Sequence, residues 1–246
     1  MPRHALSARQ RGSYAAHLYK ALVRQHHRAL GPILQRHIPR DAVVVDAGAH
    51  AGQFCKLFAS LAPEGRIYAF EPGSYARSIL KRVVRWRRLT GVTVIAAGLS
   101  DAEGEGELSV PLKASGSLGF GLGNLGAVTS PARRESIALT TLDGLVREQA
   151  LARLDFIKAD IEGWEVRMLE GASEALSRFR PAMLLELVAA HLGRAGSAPD
   201  EAWEILRPWG YGAERLHGLE RTGLKRAPAD EGFLGDGDYL FSVSGR

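Results

Sequence analysis

Carboxylates and imidazoles fall in this chain where short apolar runs end, and their spacing suggests which chemistry they serve. The run Val43-Val44-Val45 leads into Asp46-Ala47-Gly48-Ala49-His50-Ala51-Gly52. Glycines in such a turn let the chain bend sharply and let a ligand approach the backbone at a helix N-terminus. A dinucleotide fingerprint would have a second glycine where His50 stands, to make room for a pyrophosphate. His50 and the carboxylate of Asp46 at the strand end both oppose an NAD-linked oxidoreductase. An acidic strand end suits a ligand with a cationic part, such as the ammonium of a methionine-derived cofactor. Glu71 ends the next apolar run, 23 residues after Gly48, where a carboxylate can accept two hydrogen bonds from ribose hydroxyls.

A second group of acids follows later. Asp160 ends Asp155-Phe156-Ile157-Lys158-Ala159, Glu162 is close behind, and Glu186 ends Met183-Leu184-Leu185. Asp160 is the residue assigned to the reacting centre, where it would orient a cofactor's amino-acid end or accept an acceptor's proton. Glu186 and His191 are further candidate bases, since an imidazole titrates near neutral pH. Glu162 and Glu165 begin a helix, where negative charge also serves simply to offset the macrodipole. Lys158 is placed to pair with a carboxylate and is given no chemistry. Asp160, Glu162, Glu186 and His191 are the residue types a magnesium or manganese ion takes. No local ligand spacing supports such a site, and no metal is assigned. Cys55, among Phe54, Leu57 and Phe58, reads as core packing.

These residues need a scaffold that brings strand ends together. Helical spacing over 13–38, with a break at Gly31-Pro32, precedes a strand at Ala42–Val45 and a helix over 52–61. A strand at Ile67–Phe70, a helix over 74–88 with Ile79, Val83 and Trp86 inward, and a strand at Val92–Ala96 follow. This β-α-β-α-β alternation predicts a doubly wound sheet, which binds ligands at the carboxyl ends of its strands. Residues 98–139 interrupt it with short strands at Glu107–Leu112 and Ser136–Leu139 around a Gly-rich loop, Ser115–Gly126. Alternation resumes with a helix at Thr141–Glu148, a strand at Asp155–Lys158, a helix at Trp164–Leu176, a strand at Met183–Leu187 and a helix at Asp200–Leu206. Tyr211–Leu216 and Tyr239–Val243 read as a C-terminal hairpin.

The run from Val43 to Gly52, with Ala69-Phe70-Glu71-Pro72, resembles the opening motifs of the FkbM family of S-adenosylmethionine (SAM) dependent methyltransferases. Ala97-Gly98-Leu99-Ser100-Asp101, Thr141-Leu142-Asp143, Leu169-Glu170-Gly171-Ala172 and Leu184-Leu185-Glu186 extend the likeness. Its most specific part is Lys158-Ala159-Asp160-Ile161-Glu162-Gly163-Trp164-Glu165. His50 departs from the pattern, which has Asn there most often. The resemblance implies a class I methyltransferase fold, α/β with a mostly parallel seven-stranded sheet whose last strand is antiparallel. Residues 1–40 would be a helical extension and 41–246 a single SAM-binding domain. It also implies transfer of methyl from SAM, with S-adenosylhomocysteine (SAH) as product, to a hydroxyl of a sugar or of a natural product of secondary metabolism. Asp46, Gly48, His50, Gly52, Glu71, Pro72, Leu99 and Asp160 would hold the cofactor, with Asp160, Glu186 and His191 at the catalytic centre. The N-terminal helix and the Gly-rich loop would form the acceptor side.

Composition sets the outer limits. The 246 residues are 46% hydrophobic and 24% charged, which excludes disorder and fibrous repeats. One cysteine allows no internal disulfide, and no Cys/His set has zinc-finger spacing. No stretch of 18 apolar residues exists, and no leader-like apolar core follows the basic start, so a cytoplasmic protein without a membrane span is expected. The net charge of +5 is uneven: residues 1–40 hold 8 of the 32 basic residues and none of the 27 acidic ones, leaving 24 against 27, or −3, for the rest. Such a head suits a phosphate, a membrane surface or an acidic partner, although a solvated helix face is the commoner explanation. The Arg clusters lack interleaved aromatic residues, so nucleic acid is not expected. A homodimer stays open. The rival class is a non-catalytic SAM-binding or scaffold protein that engages an acidic partner through this head.

Overall fold

The computed structural model describes residues 8–111, 124–125, 132–217 and 225–243. The chain opens with α1 (Ala8–Val23), a 3-10 turn (Arg28–Leu30) and α2 (Gly31–Leu34). It continues through β1 (Val43–Ala47), α3 (Gln53–Leu61), β2 (Arg66–Phe70), α4 (Ser74–Trp86), β3 (Val92–Ile95), β4 (Ala97–Leu99), β5 (Gly104–Pro111), β6 (Asn124–Leu125) and β7 (Ala132–Thr140). Then come α5 (Leu142–Glu148), β8 (Phe156–Ala159), α6 (Glu165–Glu170), α7 (Ser173–Phe179), β9 (Ala182–Leu187), α8 (Ala189–Arg194), α9 (Glu201–Leu206), β10 (Tyr211–His217), β11 (Lys225–Pro228) and β12 (Gly237–Val243).

The main sheet runs β11-β10-β12-β9-β8-β1-β2-β3. The β9, β8, β1, β2 and β3 strands are mutually parallel. The β12 strand is antiparallel to both β9 and β10. The expected seven strands are all present. An eighth, β11, pairs with β10 and extends the C-terminal hairpin into three strands. Chain order reverses direction between β1 and β8, and that switch opens a crevice at the carboxyl ends of the strands. Strand alternation feeds two cores. Val43, Val45 and Ala47 enter one with α5, α6, α7 and α9, while Val44 enters the other with α2 and α3. A second sheet, β4-β7-β5-β6, forms from the interruption after β3. Most of the Ser115–Gly126 loop lies outside the described residues.

Several expected elements need correction. The N-terminal helix ends at Val23, well before Gly31-Pro32, because the Lys56 ammonium donates to the Ala21 and Arg24 carbonyls and caps its last turn. Gly31-Pro32 starts α2, where proline's missing N–H costs nothing. Trp86 does not face inward but is 57% exposed, whereas Ile79 and Val83 are buried. The helix predicted at Trp164–Leu176 is two helices, since the Gly171 position passes too close to the Ser100 carbonyl for any side chain. The α8 helix had no counterpart in the sequence reading. The Thr141-Leu142-Asp143 motif proves to be a double cap: the Thr141 hydroxyl accepts from Gly144 N at the start of α5, and Asp143 accepts from Glu174 and Ala175 N at the start of α7. Caps of this kind contribute about 1 kcal/mol each. Among the described residues no helix is long and apolar enough to cross a membrane.

Candidate active site

A cavity of about 420 Å³ opens at the carboxyl ends of β1, β2, β8 and β9. Gly48, His50, Glu71, Pro72, Leu99, Asp160, Glu186 and His191 all line it, together with Lys158 and Glu162. The expected site is thus largely assembled. Asp46 and Gly52 are the exceptions. Asp46 is fully buried behind the wall, and its carboxylate accepts from the Cys55 thiol at 3.1 Å. Lys158 stands between it and the cavity.

The turn after β1 depends on two close approaches. Gly48 has φ +72, and a Cβ there would lie 2.0 Å from the Asp160 carbonyl oxygen, so the ends of β1 and β8 can touch only through glycine. His50 also adopts the left-handed region, at φ 47. That conformation is one Asn and His tolerate better than most residues, which gives the departure at this position a backbone reason. The His50 N–H donates to Glu71 Oε2 at 2.8 Å, and the Gly73 N–H donates to Oε1 at 2.8 Å. Glu71 is therefore fixed at the tip of β2 with a free lone pair on each oxygen. Burial pushes its pKa up to about 7, opposed by those two N–H groups. Burial, then Lys158, pushes His50 down to about 4, so its ring is neutral at pH 7.

The second cluster surrounds Lys158. Its side chain is 3% exposed, and Nζ donates to the Ala47 and Gly48 carbonyls at 3.0 Å each. Asp46 Oδ1 is 3.5 Å away on one side and Asp160 Oδ2 is 3.7 Å away on the other. Burial alone would lower the Lys158 pKa, but Asp160, Asp46 and Glu186 outweigh it and keep the ammonium charged. Asp160 is 44% exposed and stands at the mouth of the cavity beside Glu186. Glu186 is pushed up to about 8 by burial and then by Asp160 and Asp238. Asp238, opposite Glu186 on β12, rises to about 7 through burial and then Asp160.

The Glu162-Gly163 step explains the specific motif. Glu162 has φ 57 and Gly163 φ +105, and a Cβ on Gly163 would meet the His191 carbonyl at 2.3 Å. Glu165 accepts from Ile161 N at 2.7 Å and Gly163 N at 3.0 Å and so closes this turn onto α6. Its role is capping. Glu162 lies outside the helix, with Oε2 3.1 Å from His191 Nδ1. Burial and then Asp160 push Glu162 up to about 7, while burial and then Arg194 lower His191. No group that could hold a metal ion forms among the described residues. Sequence reasoning missed Asp238, because only the antiparallel insertion of β12 beside β9 brings residue 238 to this end of the sheet.

Comparison with known proteins now decides the family. A family profile described as "Methyltransferase FkbM domain" matches residues 46–212. The chain belongs to the FkbM methyltransferase family. An FkbM methyltransferase from Methylobacillus flagellatus shares the fold with a TM-score of 0.53 at 18% identity, over 95% of this chain and 59% of that one. A Streptococcus mutans protein solved in complex with SAH gives 0.50 at 8% identity, over 90% and 99%. The fold of this FkbM-family chain is that of class I methyltransferases. Among curated proteins, the AMB antimetabolite synthetase AmbE of Pseudomonas aeruginosa is 29% identical over 206 residues, 71% of this chain and 10% of that protein. Methyltransferase sdnD of Sordaria araneosa is 28% identical over 162 residues, 56% of this chain and 62% of that one. The chain thus spans less than two thirds of either curated relative.

Proposed function

We propose that this chain transfers a methyl group from SAM to a hydroxyl of a small-molecule or glycan acceptor. The observation that carries the reading is one cavity with two unlike acidic ends. At one end stands Glu71, pinned and able to accept two further hydrogen bonds; at the other Glu186 stands beside Asp160, its pKa raised to about 8 by burial and then by Asp160. The residues present fit SAM. Glu71 suits a ribose diol. Phe70, Ala97, Leu99 and Leu108 supply an apolar wall for a flat base. The carboxylates around Asp160 suit the cationic amino-acid end.

When bound, SAM supplies an electrophilic methyl on a sulfonium sulfur. The protein's own work is alignment and proton transfer. The β1 turn and Glu71 fix one partner, which leaves little orientational entropy to lose in the reaction. Glu186, beside Asp160, would take the proton that the acceptor's hydroxyl gives up on methylation. His191, neutral at pH 7, is the auxiliary acceptor beside Glu162.

Calorimetry with purified protein tests the cofactor first, using SAM, SAH and NAD. Micromolar binding of SAM and SAH with none of NAD supports the reading. A folded protein that binds none of the three, or only NAD, overturns it. Turnover on hydroxylated acceptors and not on amines then tests the oxygen assignment.

A further inference from the structure

Two segments far apart in the chain contain no carboxylate at all: residues 1–40 and 72–100. Together they carry 8 + 6 = 14 of the 32 lysines and arginines. The fold packs their described helices, α1 and α4, side by side. Leu18 and Ala21 of α1 pack on Ile79 and Val83 of α4. Tyr14 meets Tyr75 edge-on with ring centroids 5.6 Å apart and touches Ser78 Oγ at 3.1 Å, and the Arg82 guanidinium lies 5.3 Å from the Tyr14 ring centre. The two basic segments are thus adjacent on the surface. Lys20 on α1, Arg24 just past its end, Lys81, Arg82 and Arg85 on α4, and Arg88 just past its end are exposed, and none forms an ion pair among the described residues. The carboxylates of Glu71 and Glu135 stand at the opposite, N-terminal end of α4, where they accept from Gly73 and Ser74.

The same two helices also carry most of the large apolar groups exposed among the described residues. Of the four large hydrophobic side chains exposed among the described residues, Tyr19 (67%), Val23 (59%) and Trp86 (57%) lie on α1 and α4, and only Leu234 lies elsewhere. Tryptophan and tyrosine favour the boundary between headgroups and acyl chains, while Lys and Arg stems lie along it with their charges toward phosphates. A polynucleotide would want a groove with stacking platforms, and Val23 gives it nothing. Two packed helices presenting cations, Trp, Tyr and Val instead suit a flat anionic surface with an apolar layer beneath. We propose that the α1–α4 face docks this protein peripherally on an anionic phospholipid surface. The segments that build it also supply His27, Ser74 and Tyr75 to the cavity wall, so docking brings the cavity beside the lipid.

Co-sedimentation of the full chain with phosphatidylcholine vesicles, with and without phosphatidylserine, tests the proposal. Binding is expected only to the anionic vesicles, weakening as salt rises, with a blue shift of tryptophan emission that Trp86→Phe removes. Arg85→Glu combined with Arg88→Glu should lower partitioning by roughly tenfold or more, and Trp86→Ala should lower it at constant charge. Both variants change exposed positions, and unchanged melting curves and SAM affinity keep a folding defect apart from a docking defect. Failure to bind anionic vesicles overturns the proposal. So does equal binding to neutral ones, tighter binding to a polynucleotide than to vesicles, or a dimer in solution that buries Trp86.

Discussion

The two acidic ends of the cavity are built on opposite physical plans. Glu71 is a single carboxylate whose oxygens each hold one backbone N–H, and the charges of Arg77 and Lys158 act on it less than those two bonds do. Asp160, Glu186, Asp238 and Asp46 crowd around one ammonium, Lys158, so that adding or removing a proton on any of them is felt by the others. A pre-satisfied acceptor of this kind is suited to reading a neutral hydroxyl pair, because two backbone N–H groups hold its oxygens in place. A coupled cluster is suited to holding and passing a proton. Binding and proton transfer should therefore be separable by mutation, one end at a time.

The largest expected effect is structural and belongs to the crowded end. Lys158→Met leaves Asp46 buried without its counter-charge, and breaking a buried pair in this way costs about 3–5 kcal/mol. For a chain of this size the melting temperature should fall by roughly 10 °C. Adding Asp46→Asn to Lys158→Met should restore more than half of the loss, since the orphaned charge is then gone. A loss below about 1 kcal/mol in the single variant would show that the ammonium is dispensable and that the cluster is not organised around it.

Glu71→Gln attacks the other end. The amide presents an NH₂ group to a backbone N–H and loses charge-assisted acceptance, about 1.5 kcal/mol for each of two ribose bonds. SAM affinity should drop on the order of 100-fold by calorimetry, while the pH dependence of turnover at saturating SAM stays where it was. A shift in that profile would mean that the two ends are coupled after all.

How much of this could be read beforehand follows from what each residue's role depends on. Glu71, Asp160 and Glu186 were legible because a strand end in a parallel sheet is a local feature: an apolar run followed by an acid. Lys158 pairs with carboxylates as its place in the strand suggested, but Asp46 was misjudged because strand alternation shows which face a side chain takes and not what stands between it and the cavity. Asp238 was invisible because β12 inserts between β9 and β10, a pairing set by tertiary structure. The end of α1 at Val23 was equally hidden, since the side chain that caps it comes from residue 56. Trp86 was placed inward on helical spacing, and the last turn of α4 instead projects past the sheet.

A pH series sharpens the contrast further. Glu186 must be unprotonated to act as base, and its pKa is raised to about 8, so turnover should rise as pH passes from 7 to 9. Stability should run the other way. A folded carboxyl whose pKa is raised from 4.5 to about 7 or 8 holds a proton that the unfolded chain gives up, so its contribution is full below about pH 4.5 and is lost as pH climbs through the folded value. Melting temperature should therefore decline between pH 5 and pH 8, and the decline should be shallower in Glu71→Gln. Asp160→Asn removes the nearest charge acting on Glu186 and should move the turnover rise toward lower pH while reducing its height.

The smallest effect is the most discriminating. Asp238 neighbours Glu186 across the β9–β12 pairing, after Asp160 in its influence, and does not line the cavity. Asp238→Asn should leave SAM affinity unchanged and shift the turnover profile to lower pH by less than Asp160→Asn does. A substitution that acted only by loosening β12 would lower the rate at every pH and leave the midpoint in place. A moved midpoint at unchanged affinity would therefore identify Asp238 as a group that sets the proton affinity of Glu186 through charge. An unmoved midpoint would place the base outside this cluster and turn attention to His191.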